Sequence, residues 1–431
     1  MGYQGGAGRP GVESADSAAR EPRKVLSNRT IAICSSVLVL TAGATCWFLL
    51  SIYGDGVAAS KAKLESIRTV GTIILGAGGA VALLLAARRQ QTAEYDLATK
   101  QHDLLLREQA NEDLRHDAAE RRITELYLKS VEQLGSEHAP VRLAGLYALD
   151  RLAQDNPSQR QTIVNVVAAY LRMPYSLAVD QLANAGSGEY GEEYRRQMQE
   201  REVRLTAQRI MTGHLSPQVD ASRYWEGINL DLSGAFLIDF NLENCNVENA
   251  RFVNARFYGD VFLTGAEFVG ETRFDGALFD AYAWFSEANF SGVTRFDGSI
   301  FCGEARFEKT SFRGGTVFRQ ASFRSNCRFD DAVFAGSAVF GGAVFARNAN
   351  FGGASFMDDA WLAGVEFSRE AFFDRVKFAG DAWFSQAVFS SYTVFDDANF
   401  AGDIKFAGAT LDGMPYRPDQ RDPDDMLSFG S

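Results

Sequence analysis

The sequence predicts a two-helix transmembrane hairpin, an α-helical neck and a C-terminal repeat domain, and three observations carry that prediction. Two stretches hold no charged residue, 24 residues from Thr30 to Tyr53 and 19 from Thr69 to Ala87, each near the ~20 apolar residues that let a helix cross a bilayer. The stretch from Arg88 to Gly135 is rich in Gln, Glu, Ala, Leu and Arg and has no Pro. From Phe268 to Leu411 an apolar residue recurs at intervals that alternate six and five, and all of these positions but Leu362 and Leu411 are Phe.

Residues 1–29 mix Gly, Ala, Ser, Pro and charges without an apolar period, which predicts a disordered tail. The first uncharged stretch, 30–53, is longer than the roughly 7–15 apolar residues of a signal peptide, and a second follows at once, so both read as spans. Arg9, Arg20, Arg23, Lys24 and Arg29 precede the first, Arg88 and Arg89 follow the second, and the connecting loop holds Lys61, Lys63 and Arg68. The basic excess on the outer flanks places both termini in the cytoplasm, with 54–68 as an external loop and 69–87 as the second span. Gly71, Gly76, Gly78, Gly79 and Ala80 give that span a small-residue face, which serves close pairing within the hairpin or a homodimer.

A cytoplasmic stalk and neck is expected over 88–215. The stalk's Leu97, Leu104 and Leu105 form a ragged heptad, compatible with a coiled-coil dimer or a solvated helix. Two amphipathic helices follow, about Pro140 to Ala153 and Gln159 to Leu171, broken by Asp155-Asn156-Pro157. A Gly- and Glu-rich linker, Asn184 to Glu193, leads to a helix over Tyr194 to His214. His214 reads as a capping residue near that helix's dipole.

The repeat is assigned to 216–413, with 414–431 as a flexible tail. Its early part steps by five, through Leu232, Leu237, Leu242, Val247, Phe252, Phe257 and Phe262, each with a residue two before it that is usually small or apolar, from Leu230 and Ala235 to Asp260. A period of five or eleven fits neither the 3.6 of a helix nor bare strand alternation, so the repeat sets its own geometry. The pattern resembles the pentapeptide-repeat family in a Phe-rich form, as in Ala288-Asn289-Phe290 and Ala398-Asn399-Phe400.

That resemblance implies an all-β, right-handed quadrilateral β-helix, with the central residue and the small one two before it pointing inward. The six–five alternation then gives a 22-residue coil whose longer sides face each other, with the extra residue at a corner. Four sides per coil and ~4.8 Å per coil give a rod of about 40 Å. Phe323, at the centre of the ladder, should be wholly buried. Cys245 and Cys327 fall at inward positions as packing residues. The stretches Val141-Arg142-Leu143-Ala144-Gly145-Leu146-Tyr147-Ala148-Leu149 and Ala169-Tyr170-Leu171-Arg172-Met173-Pro174-Tyr175 are similar to membrane-anchored pentapeptide-repeat proteins of actinobacteria, a group without an agreed biochemical role. The helix ending at His214 and the segment from Trp225 to Leu230 are placed to cover the open first coil.

The chemistry sought elsewhere is missing from the sequence. Among four His and five Cys there is no CxxC, HxxxH or HExxH, and the chain has no GxxxxGK[ST] and no GxSxG, so no cofactor, metal or catalytic residue is assigned and an enzyme is the less favoured class. Residues 228–413 hold 25 acids and 15 bases, whereas the rest is nearly neutral. Acidity argues against nucleic acid as a partner. It also opens an alternative implied by the resemblance, mimicry of duplex DNA toward a type II topoisomerase, which Arg306, Lys309, Arg313, Arg319, Arg324 and Arg328 oppose by forming a mid-rod basic girdle. Steps of 22 from Arg273 pass through Arg295, Val317, Val339, Trp361, Trp383 and Lys405. Val317, Val339, Trp361 and Trp383 thus form a candidate apolar contact strip for an unidentified protein partner.

Overall fold

The computed structural model describes residues 27–53, 60–175, 190–218, 222–390 and 392–416. Most of the expected N-terminal tail, part of the hairpin loop, most of the Gly- and Glu-rich linker and nearly all of the C-terminal tail therefore lie outside the described residues. The chain divides into two units, 1–119 and 120–431.

The first unit holds α1 (Asn28–Tyr53) and most of α2 (Ser60–Leu134), whose last residues, from Glu120, belong to the second. Both contain stretches long and apolar enough to cross a membrane. Ser27 Oγ caps α1, accepting the N–H of Arg29 at 3.1 Å and of Thr30 at 3.3 Å. The expected loop differs from the structure, because residues 60–68 are already helical. Ser60 to Arg68 contains no Gly or Pro to stop a helix. Val39, Ala42, Gly43 and Cys46 of α1 face Ile74, Ala77, Gly78 and Val81 of α2 across a groove. An added Cβ would meet nothing within 4 Å at Gly71, Gly76, Gly78 or Gly79, so α1 does not use the small-residue face for backbone contact.

The second unit starts with a helical cap. α3 (Ala139–Asp155), a single 3₁₀ turn (Pro157–Gln159), α4 (Arg160–Arg172) and α5 (Tyr190–Gly213) bury Leu146, Leu149, Val164, Val167, Leu171, Val203, Ala207 and Met211 together. Gly145 is where α3 crosses the end of α2: a Cβ there would lie 2.8 Å from the Ser130 carbonyl oxygen. The cap core continues through Leu215, Trp225 and Ile228 into the first coil, so cap and rod share one hydrophobic interior.

The rod is a four-sided β-solenoid of about eight turns that starts at Leu230. Its first face runs in parallel register from Leu230–Asp231 to Ile404–Lys405. The other faces hold, in chain order, the strands that include Leu278–Phe279, Ala283–Trp284 and Asn289–Phe290. Coil length grows along the chain: Leu230 pairs with Ala250, Asn246 with Glu267, and Ala250 with Thr272, steps of 20, 21 and 22 residues. The longer corners lie on opposite edges, as expected. Asp280-Ala281-Tyr282 fills the three-residue corner between Phe279 and Ala283, while Asp275-Gly276 suffices between Phe274 and Ala277.

One side departs from the expected ladder. Phe262 is half-buried and Asp260 is not inside; Val261 and Leu263 are the buried pair, in register with Ala283 and Phe285. Burying Leu263 and Val261 leaves Asp260 half-buried at the corner, where its carboxylate accepts the Tyr282 N–H at 3.2 Å, whereas the alternative register would turn it inward. Alternation of six and five therefore begins at Phe257 rather than Phe268.

Inside, Phe side chains stack coil on coil with centroids from 4.5 Å (Phe279–Phe301) to 5.6 Å (Phe367–Phe389) apart. Rings of the first and third faces meet edge to face across the interior, as Phe318 does with Phe329 at 5.6 Å and 83°. Each two-residue corner is a turn closed by a bond such as Ala277 N–H to Phe274 O at 3.0 Å, and its second residue has positive φ. Those residues recur every eleven positions from Gly265 to Gly408, and they include Glu287, Lys309, Gln320 and Arg375 as well as glycines. A left-handed conformation held by so many side-chain-bearing residues is imposed by the ladder on either side.

Both ends of the rod are closed. At the start, Gln161 of α4 accepts the Asn229 N–H at 2.9 Å and donates to its carbonyl at 2.9 Å, and Gln208 of α5 does the same for Ile238 at 3.0 and 2.7 Å. Two glutamine amides thus stand in for the missing strands of a preceding coil. At the finish, Asp412 and Gly413, both at positive φ, reverse the chain so that Met414–Pro415 pairs antiparallel with Thr410–Leu411. The rod therefore extends past the expected boundary at 413.

Candidate binding site on the rod

The outward residues of the first face make one continuous column. Arg273, Arg295, Val317, Val339, Trp361, Trp383 and Lys405 pair successively in register, as the 22-residue step requires. The strand backbone holds each such side chain outward because its neighbours on either side, for example Ala360 and Leu362 around Trp361, are buried. Trp361 and Trp383 stack at 4.6 Å with 7° between planes, and Lys405 Nζ sits 3.5 Å over the Trp383 ring. Trp361 is 37% exposed; Val317, Val339 and Trp383 are half-buried.

The opposite end of the column is charged and internally paired. Asp275 receives Arg273 Nε at 2.8 Å and Arg295 Nε at 3.2 Å, and Arg295 also reaches Asp297 at 3.1 Å. Burial pushes Asp275 upward, but the two guanidiniums outweigh it and hold its carboxyl below the ordinary range. A depressed carboxyl contributes stability above its unfolded pKa of about 4 and loses it as pH falls through its lower folded value. Asp275→Asn is therefore expected to lower the rod's melting temperature at pH 7, and the difference should shrink as pH falls below about 4, as followed by circular dichroism.

The basic girdle winds once round the rod: Arg306, Lys309, Arg313, Arg319 and Arg324 follow one another along one coil, and Arg328 stands beside Arg306 on the next. Arg306 pairs with Glu304 at 2.7 Å, and Arg328 with Asp330 at 3.2 Å and Glu308 at 3.4 Å. Cys245 and Cys327 are buried, and burial pushes the Cys245 thiol up to about 12 and Cys327 upward too. Both are packing residues rather than nucleophiles.

His214 does not cap α5. It is 2% exposed, stacked on Trp225 at 3.9 Å, with Nε2 2.6 Å from Asp150 and Nδ1 2.8 Å from the Arg223 carbonyl. Sequence reasoning missed this arrangement, and also Arg204. The Arg204 guanidinium is buried between Tyr170 and Tyr175, bonded to Glu200 at 2.8 Å and to the Leu171 and Met173 carbonyls at 3.0 and 2.8 Å. Glu200 also accepts the Tyr170 hydroxyl at 2.8 Å and pairs with Arg142 at 3.1 Å. His214 reaches Asp150 of α3, and Glu200 of α5 reaches Arg142 of α3 and Tyr170 of α4, which makes both clusters braces within the cap.

Comparison with protein families decides what the repeat is. Residues 242–288, 274–322, 318–366 and 362–410 match the family model described as pentapeptide repeats (9 copies). The rod is a pentapeptide-repeat solenoid. The last three matched windows start 44 residues apart, two 22-residue coils, so the family pattern and the observed coil share one phase. No curated protein and no solved structure matches the chain. The pentapeptide-repeat match covers the strip, and the cap that seals the first coil lies before it.

Proposed function

We propose that this protein is a non-catalytic, membrane-anchored scaffold whose pentapeptide-repeat rod binds another protein through Val317, Val339, Trp361 and Trp383. The observation that carries the reading is the aromatic step of Trp361 on Trp383, held outward over an interior that Leu362 and Phe384 already fill. Large aromatics concentrate binding energy at interfaces, and this pair is not needed by the core beneath it. The stacked Phe interior supports a binding role over an enzymatic one, because a filled solenoid offers substrate no interior cavity. The two apolar helices act as a multi-pass anchor in the plasma membrane, with both termini cytoplasmic on the strength of the flanking Arg and Lys residues.

The test pairs pull-downs from membranes using the full-length protein and its Trp361→Ser/Trp383→Ser variant. The variant should melt as the wild type does and lose the captured partner. Undiminished capture by a folded variant would refute the strip as the contact surface. Reporter fusions after Arg89 should be active only in the cytoplasm, and an external signal there would reverse the orientation.

A further inference from the structure

The columns beside the Trp361–Trp383 stack differ in charge, one acidic and the other neutral. On the side reached from the fourth face, the corner residues preceding the strands include Asp358, Asp359, Asp381 and Asp403. Asp359 and Asp381 are committed to the corners, accepting the N–H of Asp381 at 3.0 Å and of Asp403 at 2.9 Å, while Asp358 and Asp403 are exposed. Asp358 also accepts the Ser337 hydroxyl at 3.1 Å. On the other side stand Gly341, Ala363, Ser385 and Ala407, all small. The strip is thus bordered by carboxylates on one long edge and by small side chains on the other.

Three features define what fits. The backbone groups of these strands are used by parallel neighbours above and below, so a partner contacts side chains and cannot add as a strand. The column repeats every ~4.8 Å, close to the ~5.4 Å turn of an α-helix, so a helix laid along it offers about one apolar side chain per coil over roughly three turns. The acidic border, with Asp358 and Asp403 exposed, calls for Lys or Arg on that helix's flank. From these we infer that the strip takes a basic amphipathic helix of a partner protein. This inference rests on the proposed function and specifies its partner.

The experiment uses the full chain in nanodiscs of zwitterionic lipid and three labelled peptides of roughly five helical turns: a Leu/Lys amphipathic helix, its Leu/Glu counterpart, and a scrambled Leu/Lys peptide of the same composition. Fluorescence anisotropy should show binding of the Leu/Lys helix alone. The Trp361→Ser/Trp383→Ser variant should abolish it, and Asp358→Asn/Asp403→Asn should weaken it about tenfold, both variants melting as the wild type does. Trp-dependent binding of the Leu/Glu helix at equal affinity would overturn the basic partner and leave the strip standing. Equal binding of the scrambled peptide, or Leu/Lys binding that survives the loss of both Trp residues, would overturn the inference by showing plain attraction to an acidic surface.

Discussion

Phe323→Ala is expected to destabilise the rod by roughly 3–5 kcal/mol, the range for emptying a fully buried aromatic site. Phe323 has no exposed surface and stacks on Phe301 at 4.8 Å and Phe345 at 4.7 Å, with Phe318 and Phe329 at its edges. Neighbouring coils are pinned by continuous parallel ladders, so the walls cannot collapse into the space and the full cavity term applies. Chemical denaturation of wild type and variant measures it. A loss below about 1 kcal/mol would mean that the solenoid relaxes around the hole.

Glu200→Ala should rank next, at roughly 3–5 kcal/mol, because it strands a buried guanidinium. Arg204 is 2% exposed and would keep only two carbonyls as hydrogen-bond partners, the Tyr170 hydroxyl would lose its acceptor, and Arg142 would lose its ion pair while keeping the Ser136 and Glu137 carbonyls. The damage should be confined to the cap: proteolysis should reach α3 to α5 in the variant while the rod resists. The same cluster sets an alkaline limit. Burial, and then the bond to Glu200, push Tyr170 well above the ordinary tyrosine range. A raised acid contributes stability that is whole below its unfolded pKa, about 10, and fades as pH climbs from there toward the folded value. Tyr170→Phe should blunt that fading, and an unchanged alkaline melting profile would remove Tyr170 as its cause.

The Phe ladder was legible because one residue type at one interval reports both side and facing. From Phe268 onward the register, the buried Phe323 and the column through Trp361 are as the spacing requires. Legibility failed where two apolar residues stand side by side, as Phe262 and Leu263 do. The signal that could have separated them is Asp260, since the rejected register would bury its carboxylate. The cap braces were unreadable for a different reason. Arg142, Tyr170, Glu200 and Arg204 come from three helices and meet only after those helices pack. A lone sequence holds no period that links such positions, and His214 with Asp150, 64 residues apart, is the same case.

The solenoid's two kinds of corner alternate, so eleven residues make half a circuit: Phe274 lines the first face and Phe285 the third, opposite it. Whole-coil insertions of 22 residues would carry Trp361 and Trp383 farther from the cap by ~4.8 Å each and leave their heading unchanged. A single eleven-residue insertion upstream would keep the six–five alternation in phase, yet swing both indoles to the far side of the rod. Reach and heading are therefore separate variables of this scaffold, the first graded by the number of repeats and the second decided by whether that number is odd or even.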